Sequence, residues 1–260
     1  NNYTFLPALT ADRRLVDAME RYLDAHWASG RLVKGAMWTV TDITHSMEEA
    51  PHLQPSLHVL RPGVPRHVYR DLLFASNLET WTALSTLGHR HFRSNFFNAE
   101  TVLTEGVQGR DTVMCETATV PARWLAWYSG HARLTRMLEE YSRGWLEDTL
   151  RSAGKKPAGM VPSAVDVKTE DVFADWAPRD LMYDQFVAAH QMTGDAKFLA
   201  PFPLGLENGP KLIDEKWTFR LAGPLVAWRL LTGETKYDEM IRAFAREQLD
   251  NISRADAFFP

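Results

Sequence analysis

The sequence predicts a mainly all-α protein built from helical hairpins, with long loops and a few short strands. Three observations predict it. Apolar residues recur at helical spacing along several long segments, a Thr-Gly-acid turn recurs after 39 residues, and strand-like alternation is scarce.

Taken in order, "ADRRLVDAMERYLDAHWASG" puts Leu15, Met19, Tyr22 or Leu23, and His26 or Trp27 on one helical face, with Thr10 placed to cap its start and Gly30 to close its end. "MWTVTDI", residues 37–43, is the best strand candidate. "HVLRPGVPRHVYRDLL", turning at Gly63, and "AWYSGHARLTRML", turning at Gly130, each place a glycine between two helices. "RLTRMLEEYSRGWLEDTL" carries Leu134, Met137, Leu138, Tyr141 and Trp145 at helical spacing. "GKKPAGMVPSAVDVKTED", residues 154–171, is rich in Gly and Pro and predicts a long loop. "KYDEMIRAFAREQLD" adds a last helix with Tyr237, Met240, Ile241 and Phe244 inward.

The repeat aligns Thr193-Gly194-Asp195, followed by Lys197-Phe198, with Thr232-Gly233-Glu234, followed by Lys236-Tyr237. Glycine suits a helix end because the closing residue adopts the left-handed conformation, and an acid after it favours the positive N-terminus of the next helix. Hairpins repeating at this period form either an open solenoid or a closed ring. With Trp and Tyr scattered along the helices, these turns resemble the (α/α) toroid fold used by six-hairpin glycosidases, sugar epimerases and several polysaccharide lyases. The resemblance spans residues 10–250 and rests on a structural turn signature. It implies one toroid-like domain over residues 1–260 and a carbohydrate in a central cleft, without choosing a reaction. Four or five hairpins are countable, so the expected ring is incomplete or interrupted near "FADWAPRDLMYD" and "FPLGLENGPKLIDEKW".

Composition narrows the classes. With 260 residues and 45% hydrophobic residues the chain can bury a substantial core. A net charge of −4 carries no basic excess, which argues against nucleic acid as a partner. No apolar run has the length of a membrane span. The lone Cys115, flanked by small and apolar residues, excludes an internal disulfide framework and predicts an inert buried thiol. The opening "NNYTFLPALTADRR" lacks an apolar signal region, so a mature secreted or periplasmic chain is the expected setting, with a cytosolic one compatible. Nine tryptophans exceed the needs of a helical core, and exposed indoles stack on sugar rings. Trp38 and Trp176, in irregular polar sequence, are the expected platforms. No phosphate loop, nucleophile elbow or other cofactor motif is present, so no cofactor is expected.

"GHRHFRSNFFNAE", residues 88–100, concentrates hydrogen-bonding groups among phenylalanines. As a helix it would align His91, Asn95 and Asn98 on one face, with Phe92 and Phe96 beside them; as an extended segment it would align His89, His91, Arg93 and Asn95. Imidazole, amide and guanidinium together suit β-elimination from a uronate polymer. Donors neutralise the carboxylate so that the C5 proton becomes removable, a base takes it, and an acid protonates the leaving oxygen. The resembling lyases use Asn, His, Arg and Tyr. The expected roles are Arg93 and Asn95 on the carboxylate, His89 or His91 as base, and Tyr128 or Tyr183 as acid. A second cluster, Asp42, His45, Glu48 and Glu49 in "DITHSMEEAPH", has carboxylates suited to binding sugar hydroxyls or, in a glycoside hydrolase, to acid–base work. It has metal-like spacing through His45, Glu49 and His52, which Pro51 spoils by breaking the helix, so no metal is expected. The expected function is a polysaccharide lyase, with glycoside hydrolase, epimerase and non-catalytic glycan binding as alternatives. Its partner is then a polysaccharide or oligosaccharide; the sequence leaves the oligomeric state open.

Overall fold

The computed structural model describes residues 12–48, 57–58, 60–154, 156–173, 181–212 and 222–255. Within them the protein is mainly helical, with short strands and no closed sheet, and no helix is long and apolar enough to cross a membrane. The backbone divides into two compact units, residues 1–144 with 163–173 and residues 145–162 with 174–260.

The first unit opens with the helix Arg13–Ala28, capped by Asp12, whose carboxylate accepts the Arg14 N–H at 2.9 Å. The proposed cap Thr10 lies outside the described residues. Val16, Glu20 and Leu23 are buried at i, i+4 and i+7, and Leu57 closes over Val16 and Leu23. Glu20 is the exception on that face, and a carboxylate buried alone would cost several kcal/mol. It is paired with Arg61, with Arg66 at 3.1 Å and with His67 at 2.8 Å. His67 lies on the helix Pro65–Ser76, which starts with Pro65 in its first turn and buries His67, Asp71, Phe74 and Ala75 at helical spacing. Asp71 is in turn paired with the buried His58.

Residues 82–97 are extended rather than helical, which corrects the helical reading of "GHRHFRSNFFNAE". The strand Thr82–Leu84 pairs antiparallel with Arg90–Phe92 around a turn in which Gly88 has φ +86°, and its N–H reaches Ser85 O at 3.1 Å. Beyond it, the buried Ser94 hydroxyl accepts the Phe96 N–H at 2.8 Å and donates to Gln108 O at 2.8 Å. The strand Phe96–Phe97 then pairs with Thr41–Asp42. Extended chain lets Phe92 and Phe97 both bury completely, with Phe97 stacked on Trp81 at 4.4 Å, a packing worth more than the helix propensity of this polar run. "MWTVTDI" divides into the short strands Ala36–Met37 and Thr41–Asp42. The predicted loop 154–171 also contains a strand, Ala164–Asp166, sandwiched between Arg110–Thr112 and Val172–Phe173 in an antiparallel sheet. The helix Val120–Ser129 ends at Gly130 with φ +63°, and the helix Ala132–Leu150 follows at once, burying Leu134, Met137, Leu138 and Tyr141 as its periodicity predicts.

The second unit contains the repeat. The helices Leu181–Thr193 and Ala222–Thr232 end alike: Gly194 and Gly233 have φ +72° and +74°, their N–H groups return to His190 O at 2.7 Å and Arg229 O at 3.1 Å. The two threonines do the same double duty, donating to the carbonyl four residues back and accepting the N–H of Asp195 at 3.2 Å or Glu234 at 3.1 Å. The aromatic partners Phe198 and Tyr237 are buried. Lys156 is buried too, its ammonium held by the carbonyls of Thr149, Arg151, Met160 and Pro157 at 2.6–3.2 Å, and burial pulls its pKa down to about 8. The carbonyls of Thr149 and Arg151, at the end of the helix, make Lys156 a cap for it.

Two predictions follow from this packing. A Cβ on Gly194 meets nothing within 4 Å, so Gly194→Ala carries the backbone cost alone, about 1 kcal/mol in urea unfolding; an unchanged midpoint would remove the left-handed assignment. Burial holds the His67 pKa below its ordinary 6.5 despite the neighbouring Glu20. The unfolded chain therefore gains a proton that the folded chain resists, and stability falls as pH drops through about 6.5. His67→Gln flattens that part of the stability–pH profile.

Candidate functional site

The first unit brings together His89, His91, Asp111 and Glu170, from three separate stretches of backbone. His89 follows the Gly88 turn, and its N–H bonds the Ser85 hydroxyl oxygen at 3.1 Å. His91 stands two residues on, across from Ala83, so both rings project from the same face of the strand with centroids 6.4 Å apart. Asp111 lies on the neighbouring strand Arg110–Thr112, and Glu170 at the turn between Ala164–Asp166 and Val172–Phe173.

Glu170 is held against its conformational preference. It is one of two non-glycine residues with positive φ among those described, at +55°, and it is buried. A side chain in the left-handed region costs on the order of 1–2 kcal/mol. The turn around it compensates. Asp166 accepts the N–H groups of Lys168 at 2.9 Å and Thr169 at 3.1 Å, and the Glu170 N–H reaches Asp166 O at 2.7 Å. The outcome is a carboxylate delivered to two partners on the opposite hairpin, the Ser85 hydroxyl and His89 Nδ1, the latter at 3.0 Å.

His91 and Asp111 are fully buried, with Nδ1 and Oδ2 3.0 Å apart. A carboxylate on Nδ1 fixes the ring's orientation and makes Nε2 its basic edge. That edge faces Gly144, in the middle of the helix Ala132–Leu150, where an added Cβ would stand 3.0 Å from His91 Nε2 and 2.9 Å from His89 Cβ. The neighbourhood is strongly anionic and dry. Burial first, and then the charge of Asp111, push the Tyr141 hydroxyl and the Cys115 thiol well above their ordinary pKa values, as expected of an inert buried cysteine. One nitrogen from each of His89 and His91 and one oxygen of Glu170 lie within 4.8 Å of one another.

The remaining predicted residues fall in different places. Arg93 is exposed and donates to Thr80 O at 3.2 Å. Asn95 is half-buried, and its Oδ1 meets no hydrogen-bond donor among the described residues. Asn98 builds a turn, accepting from Glu100 and Thr101 N–H at 2.9 and 2.7 Å and donating to Trp38 O at 2.9 Å. That last bond ties the exposed Trp38 to the same segment. Asp42 caps the helix Ile43–Glu48, accepting from Thr44 at 3.0 Å and from the exposed His45 ring at 2.5 Å. Burial opposes ionisation of Asp42, but the hydrogen bonds from His45 and Thr44 outweigh it and hold its pKa low. A low pKa suits a cap or a hydroxyl acceptor and not a proton-donating acid. Glu48 ends that helix, while Glu49, His52 and Trp176 lie outside the described residues.

Tyr128 is exposed on the helix Val120–Ser129 with its ring 6.0 Å from that of His58. Tyr183 does not line a cleft. It is buried in the second unit, 4.9 Å from the Phe202 ring and donating to Gly159 O at 3.4 Å, and Gly205 is bare because a Cβ there would meet its hydroxyl. Burial raises its pKa further. Sequence reasoning missed Asp111, Gly144 and Glu170. A glycine inside the most regular helical pattern was a readable signal for Gly144; the other two carry no local signature.

Alanine at a helix interior normally gains about 1 kcal/mol over glycine. Gly144→Ala is expected to lose stability instead, because the new methyl meets His89 Cβ, which cannot swing away; a melt showing stabilisation would contradict the packing around both histidines. Searches against protein-family models, curated proteins and solved structures find no match for this chain, so its functional reading rests on this geometry.

Proposed function

We propose that the protein is a carbohydrate-active enzyme, a polysaccharide lyase that cleaves a uronate-containing glycan by β-elimination. The observation that carries this reading is the His89–Glu170 pair, with a carboxylate oxygen 3.0 Å from Nδ1 on a ring whose side chain keeps 16% of its surface exposed. A carboxylate at Nδ1 orients an imidazole and raises its basicity, as general-base catalysis requires. His89 is the base in this reading. Arg93 and Asn95, on the same extended run, neutralise the substrate carboxylate so that the C5 proton becomes acidic. His91, fully buried against Asp111, positions the strand from behind. Tyr128 is the remaining tyrosine candidate for protonating the leaving oxygen, since Tyr183 is sealed in the other unit.

The exposed indole of Trp38, joined to Asn98, supplies a stacking face for a sugar ring beside that run. The paired Thr-Gly-acid helix ends support a ring of helical hairpins as the scaffold. In this arrangement the short strands and turns of the first unit form the working end.

The test is incubation with a panel of uronans while ultraviolet absorbance is followed. An unsaturated product is expected, and His89→Gln should lower its rate about 10²- to 10⁴-fold, the usual worth of a positioned base. New reducing ends without the chromophore would replace elimination by hydrolysis, and neither product from any uronan would remove the lyase reading.

A further inference from the structure

We infer that His89, His91 and Glu170 form a binding site for a divalent transition metal, with Asp111 as the outer partner that sets the His91 ring. The inference rests on donor geometry and not on the reaction proposed above. Two imidazole nitrogens and a carboxylate oxygen within 4.8 Å of one another are a small displacement from a shared ion. Ligands sit about 2.1 Å from zinc, so adjacent ones are about 3.0–3.4 Å apart. The 3.0 Å between His89 Nδ1 and Glu170 Oε2 already has that spacing.

Three further observations point the same way. Asp111 is 3.0 Å from His91 Nδ1, the carboxylate–histidine arrangement that turns the other ring nitrogen towards a metal and raises its basicity. Gly144 keeps a side chain away from that nitrogen, where a Cβ would stand 3.0 Å off. Glu170 reaches the pair through a left-handed backbone, φ +55°, that a purely structural turn would fill with glycine or asparagine. Two nitrogens and one oxygen suit zinc, iron, cobalt or nickel over calcium or magnesium, which favour oxygen donors. With three protein ligands, coordination positions remain for water or a substrate oxygen.

The site has a consequence for catalysis by His89. An ion takes up either the ring's lone pair or the Glu170 oxygen that orients it, so metal loading and proton abstraction by His89 compete. A loaded protein is then resting with respect to elimination, and a chelator releases it.

The test uses the whole chain and zinc chloride. Calorimetry and metal analysis after gel filtration are expected to give one zinc per chain and a higher melting temperature. Asp111→Asn should weaken binding about 10- to 100-fold with the stoichiometry unchanged, while His89→Gln and Glu170→Gln should abolish it. His131→Gln, at an exposed helix start, should bind as the parent does. Should the glutamine variants misfold by circular dichroism, the parent alone decides the matter: zinc should protect the partly exposed His89, but not His131, from diethyl pyrocarbonate, read by mass spectrometry. No bound zinc, undiminished binding by folded His89→Gln, or no protection of the His89 ring would overturn the site. Each outcome is independent of whether any uronan is cleaved.

Discussion

The first unit depends on pairing carboxylates with imidazoles out of water. Glu20 with His67, Asp71 with His58, Asp111 with His91 and Glu170 with His89 are four such pairs among the described residues, and all four carboxylates are buried. A carboxylate stripped of water costs several kcal/mol unless a donor replaces that hydration. Each pair therefore dictates where two elements meet. Glu20–His67 fixes the first helix on Pro65–Ser76, Asp111–His91 fixes the three-stranded sheet on the hairpin, and Glu170–His89 fixes the sheet's turn on the hairpin's turn. Neutral packing could hold these elements together, but it would not set their register so narrowly.

The four pairs are not equivalent. His58–Asp71 and His67–Glu20 are sealed among Trp124, helix backbone and arginines, with His67 fully buried and Arg66 3.1 Å from the same carboxylate. They bind segments together. His89–Glu170 stands at a turn, partly exposed, and lies beside the His91–Asp111 pair, with both histidines packed against Gly144. In the proposed function, convergence and access, rather than pairing as such, set His89–Glu170 apart. The strained backbone at Glu170 agrees with this division, because the other pairs are reached from ordinary helical or extended residues.

Much of the helical framework was legible because its signals are local. The face formed by Leu134, Met137, Leu138 and Tyr141 follows from spacing alone. The two Thr-Gly-acid turns follow from the left-handed glycine and the threonine hydroxyl, and their hydrogen bonds match one another. "MWTVTDI" was legible as extended sequence and holds parts of two strands, whereas the other strands, of two or three residues each, are too short to show alternation. "GHRHFRSNFFNAE" was identifiable as special, yet its helical reading failed because Phe92 and Phe97 find their burial against Trp81 and Tyr141, partners distant in sequence. Asp111 and Glu170 were invisible for the same reason: a carboxylate in a polar stretch looks solvated until the chain folds back to meet it.

Two buried donors in the second unit answer to backbone instead. Lys156 gives its hydrogen bonds to four carbonyls, and Tyr183 gives its own to Gly159. These contacts close a helix end and fill a core. In the first unit four buried carboxylates meet imidazole side chains, whose protonation can change without unmaking a helix or a sheet. That difference is why the proposed chemistry is assigned to His89, His91, Asp111 and Glu170. A centre must be able to alter its charge while its scaffold stands.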